Sequence, residues 1–334
     1  MELEVLQAQV ERWASDTLVP DVTIAGLEAM PGHAGLSFGF QVLDAAGTCV
    51  EDLVVRMPPK GVRRKGNTDV LRQVPLLQAL RAAGVPVAEV RYWSDDERWF
   101  EVPFFMVGRL PGAVYIVRHP DPSVAPEAVF TQAVEALASV HTFDWRRRLP
   151  SWEPPRDLVD EIRYWDPILA KAAEPPWVRM GEETRDLLLA SVPAAPAVGV
   201  FHGDFQTNNI LFHEGRLVAV LDWEISGVGA QLLDLGWLLM MNDPQSWHDG
   251  EGLRIVPPFS ELVDRYAAAS GRLVSLADVA WYRALSGYRF GVISGLNVML
   301  HRTGKRPDPE WERIALSVPA LFGRGSELLR GASD

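Results

Sequence analysis

Four polar residues have types and spacings that suit the transfer of a phosphoryl group. His202, Asp204 and Asn209 lie within the segment FHGDFQTNNILF at residues 201–212, and Asp222 follows thirteen residues after Asn209 in the run VAVLDWE. A carboxylate such as Asp204 can accept the proton of a hydroxyl group. The oxygens of Asn209 and Asp222 are ligands that Mg²⁺ prefers. One base and two oxygen ligands are the minimal set for phosphoryl transfer from a magnesium nucleotide.

Two short apolar segments are predicted to hold this motif on a loop. Residues 198–201 and 210–212 are rich in apolar side chains and are typical of strands. Asp204 is therefore predicted to lie on a connection between strands, where it can reach a substrate hydroxyl. His202 is interpreted as a hydrogen-bonding residue of the loop scaffold. Asp234, in LLDLGW, is interpreted as a brace for this loop from the start of a helix, where acids are favoured.

Each half of the motif has a simpler explanation when it is taken alone. HGD could be a turn whose aspartate caps a loop, and LDW could be the end of a strand with a buried indole. The two halves in this order, after a β-rich region, favour a phosphotransferase. A metal-dependent phosphoesterase that uses His202 and the acids is a weaker hypothesis, because it would need more His or Asp ligands than this loop supplies.

The composition predicts a globular protein that acts on a small molecule. The 334 residues are 48% apolar, and 32 basic residues against 44 acidic residues give a net charge of −12. Such a chain argues against a nucleic-acid partner and favours a neutral or cationic small substrate. The single cysteine, the lack of a leader-like segment and the lack of a long apolar run favour a cytoplasmic protein with no membrane partner. The sequence does not indicate the oligomeric state.

The N-terminal third predicts a small antiparallel sheet with helices. Apolar residues at three- and four-residue steps predict a first helix that ends before Pro20. A second helix is predicted over 69–83, where Pro75 must start or kink it. Strands are predicted over 36–43, 49–57, 90–93 and 103–107.

The remainder of the chain is predicted to be mainly helical. Helices are predicted over 127–142, 158–173, 182–191, 232–241, 259–270 and 276–300. We therefore predict an α+β fold with a nucleotide-binding lobe at residues 1–108 and a catalytic and substrate-binding lobe at residues 109–334.

These motifs give the chain a resemblance to the aminoglycoside phosphotransferase and choline kinase-like family, which has a protein-kinase-like fold. The specific matches are HGDFQTNNILF and LDWE, and the supporting ones are ALASVHTFDW, PFFMVGRLPG and GVPVAEV. The segments LVVRMPPKG and IRYW resemble the phosphotransferase-like domains that are fused to acyl-CoA dehydrogenases. The resemblance covers nearly the whole chain.

The resemblance implies two lobes with a nucleotide, ATP or GTP, in the cleft between them. It implies that Asp204 is the catalytic base and that Asn209 and Asp222 are Mg²⁺ ligands. For the nucleotide it implies Gly35 and Ser37 of the turn 32–37 over the phosphates, Arg56 as the phosphate-gripping cation, and the backbone from Met106 to Gly108 at the adenine.

Two positions depart from the family pattern. Most members have a lysine on the third strand, and the corresponding residue here is Arg56. The helix that usually presents a glutamate to this lysine carries Gln73, which could hydrogen-bond Arg56 without an ion pair. These departures motivate an alternative hypothesis, a catalytically weak nucleotide-binding or regulatory protein. The intact set of Asp204, Asn209 and Asp222 favours catalysis.

The predicted acceptor is a small hydroxylated metabolite, aminoglycoside-like or other, because the fold alone does not select the substrate. Several acids could attract an amine, although a solvated helix face is the simpler explanation for most of them: Asp160, Glu161, Asp243, Asp249 and Asp264. Other residues could line a pocket or pack in the core: Tyr282, Tyr288, Arg289 and Asn297.

Overall fold

The structure, a computed structural model, describes residues 3–30, 36–117, 124–248 and 257–331. Across these residues, no helix is both long enough and apolar enough to cross a membrane.

The chain divides into two compact units. Unit 1 comprises Met1–Gly112 and Val218–Ile225, and unit 2 comprises Ala113–Leu217 and Ser226–Asp334. The predicted lobes differ from this division chiefly at Val218–Ile225, which belongs to the same unit as the N-terminal sheet. The roles assigned to the two lobes stay predictions.

The described part of unit 1 combines two helices with an antiparallel sheet. The elements are α1 (Leu3–Thr17), β1 (Thr23–Ala29), β2 (Leu36–Leu43), β3 (Cys49–Met57), α2 (Gln73–Ala82), β4 (Val90–Ser94) and β5 (Phe104–Gly108). The strands pair antiparallel in the order β1-β2-β3-β5-β4. The predicted strands and the first helix are confirmed. The predicted helix over 69–83 is shorter, because 3₁₀ turns occupy residues 66–68 and 70–72, and Pro75 lies in the first turn of α2, where a missing N–H is tolerated.

The core of unit 1 lies between α1 and the sheet. Leu6, Val10 and Trp13 of α1 are buried and pack in one cluster with Phe40 and Leu53 of the strands. The three helical residues recur at steps of three and four, so one apolar stripe faces the sheet. Burial of this stripe holds the first helix in place.

Unit 2 is mainly helical. Its elements are β6 (Ala113–Val114), α3 (Pro126–His141), α4 (Trp145–Arg148), α5 (Leu158–Arg163), α6 (Asp166–Leu169), α7 (Pro175–Ala190), β7 (Val198–Phe201), β8 (Ile210–His213), β9 (Arg216–Val220, whose last three residues belong to unit 1), β10 (Gly227–Ala230), α8 (Leu232–Met241), α9 (Phe259–Ser270), α10 (Leu276–Arg302), α11 (Glu310–Ala315) and α12 (Val318–Leu329). β7 pairs antiparallel with β10, and β6 pairs antiparallel with β8.

Prolines explain where the predicted helices differ from the observed ones. The predicted helix over 158–173 is two short helices, because Pro167 lies in the first turn of α6 and so marks a new start. The predicted helix over 182–191 begins earlier, at Pro175, since Pro175 and Pro176 occupy the first turn of α7. In both places a proline in the first turn begins a helix.

The long helix α10 is the centre of unit 2 and packs closely against α8. Tyr282, Leu285 and Tyr288 of α10 are buried in one cluster with Leu233 of α8. At Gly236 of α8, an added Cβ would lie 2.6 Å from the Tyr282 carbonyl oxygen. This close approach fixes α8, and with it the side chains that α8 presents to the loop after β7.

Candidate active site

The loop after β7 is held by a buried carboxylate of α8. Asp234, in the first turn of α8, is fully buried. The backbone N–H of His202 donates to Asp234 Oδ2 at 2.6 Å, and that of Gly203 donates to Oδ1 at 2.7 Å. Gly203 has a φ of +92°, a conformation that glycine adopts without steric cost. The predicted bracing role of Asp234 is confirmed.

A second set of bonds reaches Asp234 from α3 and α9. His141 Nε2 lies 3.2 Å from Asp234 Oδ2, and His141 Nδ1 lies 2.7 Å from the Tyr266 hydroxyl. Burial raises the pKa of Tyr266 to about 12, so its hydroxyl donates to Nδ1 and the Nε2–H faces Asp234. Burial lowers the pKa of His141. Burial alone would raise the pKa of Asp234, but the bonds from His141 and Gly203 lower it overall. The pair is therefore a neutral imidazole and a carboxylate.

Both carboxylate oxygens of Asp204, the predicted base, accept side-chain hydrogen bonds. Gln206 Nε2 and Trp237 Nε1 donate to Oδ1 at 2.7 and 2.8 Å. Asn209 Nδ2 donates to Oδ2 at 2.8 Å. An ionised carboxylate only accepts hydrogen bonds, so these three N–H donors match the form that can take a proton from a hydroxyl group.

His202 and Asn209 lie near the two ends of the loop, and both form hydrogen bonds with Asp204. The backbone N–H of Asp204 donates to His202 Nδ1 at 3.2 Å, and the His202 side chain is fully buried, which confirms its scaffold role. Asn209 Nδ2 also donates to the Asp204 backbone carbonyl at 2.9 Å. Because the amide nitrogen of Asn209 bonds to Asp204, its amide oxygen is the end that can act as a metal ligand.

In unit 1 the structure brings Asp222 and Arg56 together. Arg56 Nη2 lies 2.9 Å from Asp222 Oδ1 and 3.7 Å from Glu224 Oε2. Asp222 has a φ of +63°, which is uncommon for a residue with a side chain and is frequent at functional sites. Gln73 is buried at the start of α2, and the carboxylates beside Arg56 come from Asp222 and Glu224. Arg56 therefore has acidic partners although the family glutamate is absent.

The predicted nucleotide contacts lie on neighbouring strands of unit 1. Ser37 is the register partner of Arg56 across β2 and β3. Met106 is buried and is paired on both sides within the sheet. The Gly108 N–H donates to the Glu89 carbonyl at 3.0 Å, so this amide is already bonded within the protein. Gly35 lies outside the described residues. The adenine and phosphate contacts stay predictions.

Five residues of these arrangements carry no role in the sequence-based prediction: His141, Gln206, Glu224, Trp237 and Tyr266. Gln206 and Glu224 lie inside the two motifs. Trp237 follows Asp234 by three residues, a spacing that places two side chains on one face of a helix. A residue on the same face as the predicted brace could therefore have been expected to reach the same loop.

The acidic residues considered for an amine site separate into two groups. Asp160 and Asp264 are exposed, as expected of a solvated helix face. Glu161 and Asp243 are buried and form ion pairs with arginines, so the solvated-face interpretation is wrong for these two. Asp249 lies outside the described residues.

The candidate pocket residues of α10 also differ from one another. Tyr282 and Tyr288 belong to the core of unit 2, which confirms the packing explanation. Asn297 donates to the Ile293 carbonyl at 2.9 Å, four residues earlier in the same helix. Arg289 is 4% exposed.

Known proteins of similar sequence extend beyond this chain. Acyl-CoA dehydrogenase family member 11 of Gallus gallus is 27% identical over 294 residues, which cover 84% of this chain and 38% of that protein. The chain thus spans less than two fifths of this relative's length. This similarity agrees with the subgroup indicated by the LVVRMPPKG and IRYW segments.

Solved structures of similar fold include aminoglycoside phosphotransferases. A Ralstonia eutropha structure assigned to the aminoglycoside phosphotransferases superposes with a TM-score of 0.76 at 20% identity, over 97% of this chain and 98% of that one. Aminoglycoside phosphotransferase APH(4)-Ia, in complex with AMP-PNP and hygromycin B, gives a TM-score of 0.63 at 15% identity, over 98% and 99% of the two chains.

The family itself is shown by its sequence model. The model of the phosphotransferase enzyme family matches residues 29–290, a segment that includes both parts of the motif. Because this match covers most of the chain and the fold is that of the kinase-like structures, the protein belongs to the phosphotransferase enzyme family.

Proposed function

We propose that this protein is a Mg²⁺-dependent kinase that moves the γ-phosphate of ATP or GTP to a hydroxyl group of a small molecule. The observation that carries the proposal is the Asp204 carboxylate, which three side-chain N–H groups orient on a loop braced by buried Asp234. The complex of the similarly folded APH(4)-Ia with AMP-PNP and hygromycin B supports the same class of reaction.

The chemistry at Asp204 is proton acceptance. As the acceptor oxygen attacks the γ-phosphorus, its proton passes to the Asp204 carboxylate, and the bond from phosphorus to the leaving nucleotide oxygen breaks. Gln206, Trp237 and Asn209 hold the carboxylate in place during the transfer. Such positioning is the main contribution a protein makes to phosphoryl transfer.

The donor set suits Mg²⁺, which takes few protein oxygens and completes its shell with water and phosphate. The Asn209 amide oxygen and the Asp222 carboxylate are the proposed ligands, and a bound Mg²⁺ would neutralise phosphate charge. Arg56 is the proposed phosphate-binding cation. Its guanidinium provides permanent charge and a planar fork that can bind phosphate oxygens.

A second candidate function is a nucleotide-binding protein with weak catalysis. The replacement of the usual lysine and glutamate by Arg56 and Gln73 motivates this candidate. The pairing of Arg56 with Asp222 and Glu224 favours the active kinase, because a charged pair is present in unit 1 in spite of the replacement.

The test is a phosphoryl-transfer screen of hydroxylated metabolites and aminoglycosides with Mg²⁺ and ATP or GTP. Asp204→Asn should lower turnover at least a hundredfold, because the amide cannot take the proton, whereas Asp186→Asn, at an exposed position of unit 2, should have full activity. Circular dichroism checks that both variants fold.

Calorimetry separates the two candidate functions. Nucleotide binding that requires Mg²⁺, together with turnover that Asp204→Asn abolishes, supports the kinase. Binding without turnover for any acceptor supports the second candidate, and full activity of Asp204→Asn removes Asp204 from the role of base.

A further inference from the structure

Arg289 of α10 is a buried guanidinium without a hydrogen bond. The residue is 4% exposed, and its Nε and Nη1 atoms are completely buried with no hydrogen-bond partner in the described part of unit 2. Among the described residues its carboxylate neighbour is Glu161, whose Oε1 lies 3.4 Å from Nε, outside good hydrogen-bond geometry. Buried polar groups normally have a partner, and an unpaired donor beside a charge is costly. An external acceptor would supply the missing partner.

The side chains around Arg289 leave an excess of positive charge. Glu161 is shared with Arg156, whose Nη1 lies 3.5 Å from Glu161 Oε2. Within the described part of unit 2, Arg156 and Arg289 thus share the Glu161 carboxylate. Glu161 Oε1 also accepts from Trp165 Nε1 at 3.4 Å, which further divides its charge. A second anion would balance the remaining positive charge of the two arginines.

Two indole rings hold the Arg289 guanidinium. Its central carbon lies 5.4 Å from the Trp165 ring centroid and 5.2 Å from the Trp237 ring centroid. Cations are attracted to the faces of such rings, which limits the orientations of the planar fork. A guanidinium fork held in this way matches the two oxygens of a carboxylate.

Trp237 connects this group to the base. Arg289 lies over the face of the Trp237 ring, and the Trp237 Nε1–H donates to Asp204 Oδ1 at 2.8 Å. A hydroxyl at Asp204 and an anionic group at Arg289 would therefore be separated by about the width of one indole. Both ends of a short acceptor could bind at once.

We propose that Arg289 is a specificity-determining residue that binds an anionic group, in the first place a carboxylate, of an acceptor whose hydroxyl lies at Asp204. This inference rests on the proposed kinase function and deepens it. The acceptor is then a short hydroxy acid, in contrast to the neutral or cationic substrate that the net charge of the chain favours.

The test compares matched acceptors in wild type and variants. ω-Hydroxy carboxylates of increasing chain length are assayed beside the corresponding ω-hydroxy carboxamides, with Mg²⁺ and ATP or GTP. The variant Arg289→Met with Glu161→Gln removes the cation without leaving its neighbouring carboxylate buried alone. Arg289→Lys is a second variant that keeps the charge and loses the fork. Arg306→Met, at an exposed position, is the matched control for the loss of one positive charge.

We expect wild type to have a kcat/KM at least tenfold higher for the best acid than for its amide, because hydrogen bonds to charged groups are the strong ones. The double variant should lose this preference, and the control should keep it. In Arg289→Lys the ratio of kcat/KM for the acid to that for its amide should fall several-fold. No acid preference in wild type, or an unchanged preference in the double variant and in Arg289→Lys, would overturn the inference.

Binding distinguishes this inference from the proposed function. Calorimetric titration of the same acids and amides into wild type and the three variants requires no turnover. Acid binding that is at least tenfold weaker in the double variant supports the anion site even if no acceptor is phosphorylated, in which case the kinase proposal alone fails. Equal binding of acids to wild type and the double variant rejects the anion site whatever the turnover.

Discussion

At the scale of the residue, the notable feature is that Asp204 is oriented by an indole. Trp237 Nε1 and Gln206 Nε2 both donate to the same carboxylate oxygen, at 2.8 and 2.7 Å. An indole N–H is only a donor, so it cannot take the transferred proton and acts through the carboxylate. In the proposed reaction Trp237 is therefore a positioning residue, and its effect should appear in the rate and in the pH profile.

We predict that Trp237→Phe lowers kcat about tenfold. An aromatic ring is kept, whereas the pyrrole part of the indole and its N–H are lost. A hydrogen bond to a charged group contributes about 1.5–3 kcal/mol, of which about 1.4 kcal/mol corresponds to a factor of ten. Loss of a donor disfavours the ionised carboxylate, so the acidic limb of the kcat/KM profile should move to higher pH. Steady-state kinetics across pH measures both effects.

The control for this prediction is Trp145→Phe. The Trp145 N–H donates to the Val198 carbonyl at 3.4 Å, so the same atoms are removed away from Asp204. Its kcat and pH profile should stay those of wild type. If Trp237→Phe also keeps both, the indole bond has no part in catalysis.

At the scale of the element, the position of α8 determines where the brace and the indole lie. Asp234 and Trp237 are both on α8, and α8 packs on α10 at Gly236 between them. A Cβ at Gly236 would meet the backbone carbonyl carbon and oxygen of Tyr282 at 2.5 and 2.6 Å. Backbone atoms inside a long helix cannot move away as a flexible side chain can, so the two helices would have to separate.

We predict that Gly236→Ala lowers the free energy of unfolding by about 1–3 kcal/mol, the usual range for overpacking. Because α8 carries Asp234 and Trp237, kcat should fall as well. Gly323→Ala in α12 is the matched control, since nothing lies within 4 Å of the added Cβ. There the substitution should be neutral or stabilise by up to about 1 kcal/mol, because alanine is the better helix former. Urea unfolding measures the change in unfolding free energy of each variant. Equal stability of the two variants would refute the packing argument.

At the scale of the whole molecule, buried ionisable groups make stability depend on pH. His141 and Asp234 are both fully buried and contact each other. The folded-state pKa of His141 lies below its unfolded value of 6.5 because burial disfavours the charged ring. The unfolded chain therefore binds the extra proton, and stability falls as pH decreases below about 6.5. The lowered pKa of Asp234 contributes stability above its unfolded value of 3.8, and this part is lost as pH falls through the lower folded value.

We predict that His141→Gln reduces the loss of stability between pH 6.5 and pH 5 by up to about 1.4 kcal/mol per pH unit, the value for one proton. Glutamine can donate to Asp234 and accept from Tyr266 without titrating. His213→Gln, at a half-exposed position, is the control and should keep the wild-type slope. Denaturant unfolding at a series of pH values measures the slopes. A wild-type slope in His141→Gln would show that this histidine is not the group that titrates.

The sequence by itself determined the local elements and the candidate catalytic motif. The strands over 36–43 and 49–57 and the helix over 259–270 follow from apolar periodicity and from turn residues, which are local properties of the chain. The motif around Asp204 is contiguous, so its loop and the two flanking strands could be predicted together. Helix starts at prolines were predicted less well, because a proline can either begin a helix or interrupt one, and the local sequence does not decide between the two.

Only the tertiary structure decided which distant side chains meet. Arg56 lies beside Asp222 although 166 residues separate them, and 33 residues separate Asp204 from the indole that orients it. Arg289 lies over Trp165, in the turn between α5 and α6, and over Trp237 of α8, and nothing in the sequence of α10 indicates these two rings. Such contacts depend on how complete elements pack, and packing is set by the close approach of backbones such as that at Gly236. The sequence therefore specifies the reaction class, whereas the folded chain alone brings a cation to the place where an acceptor could be recognised.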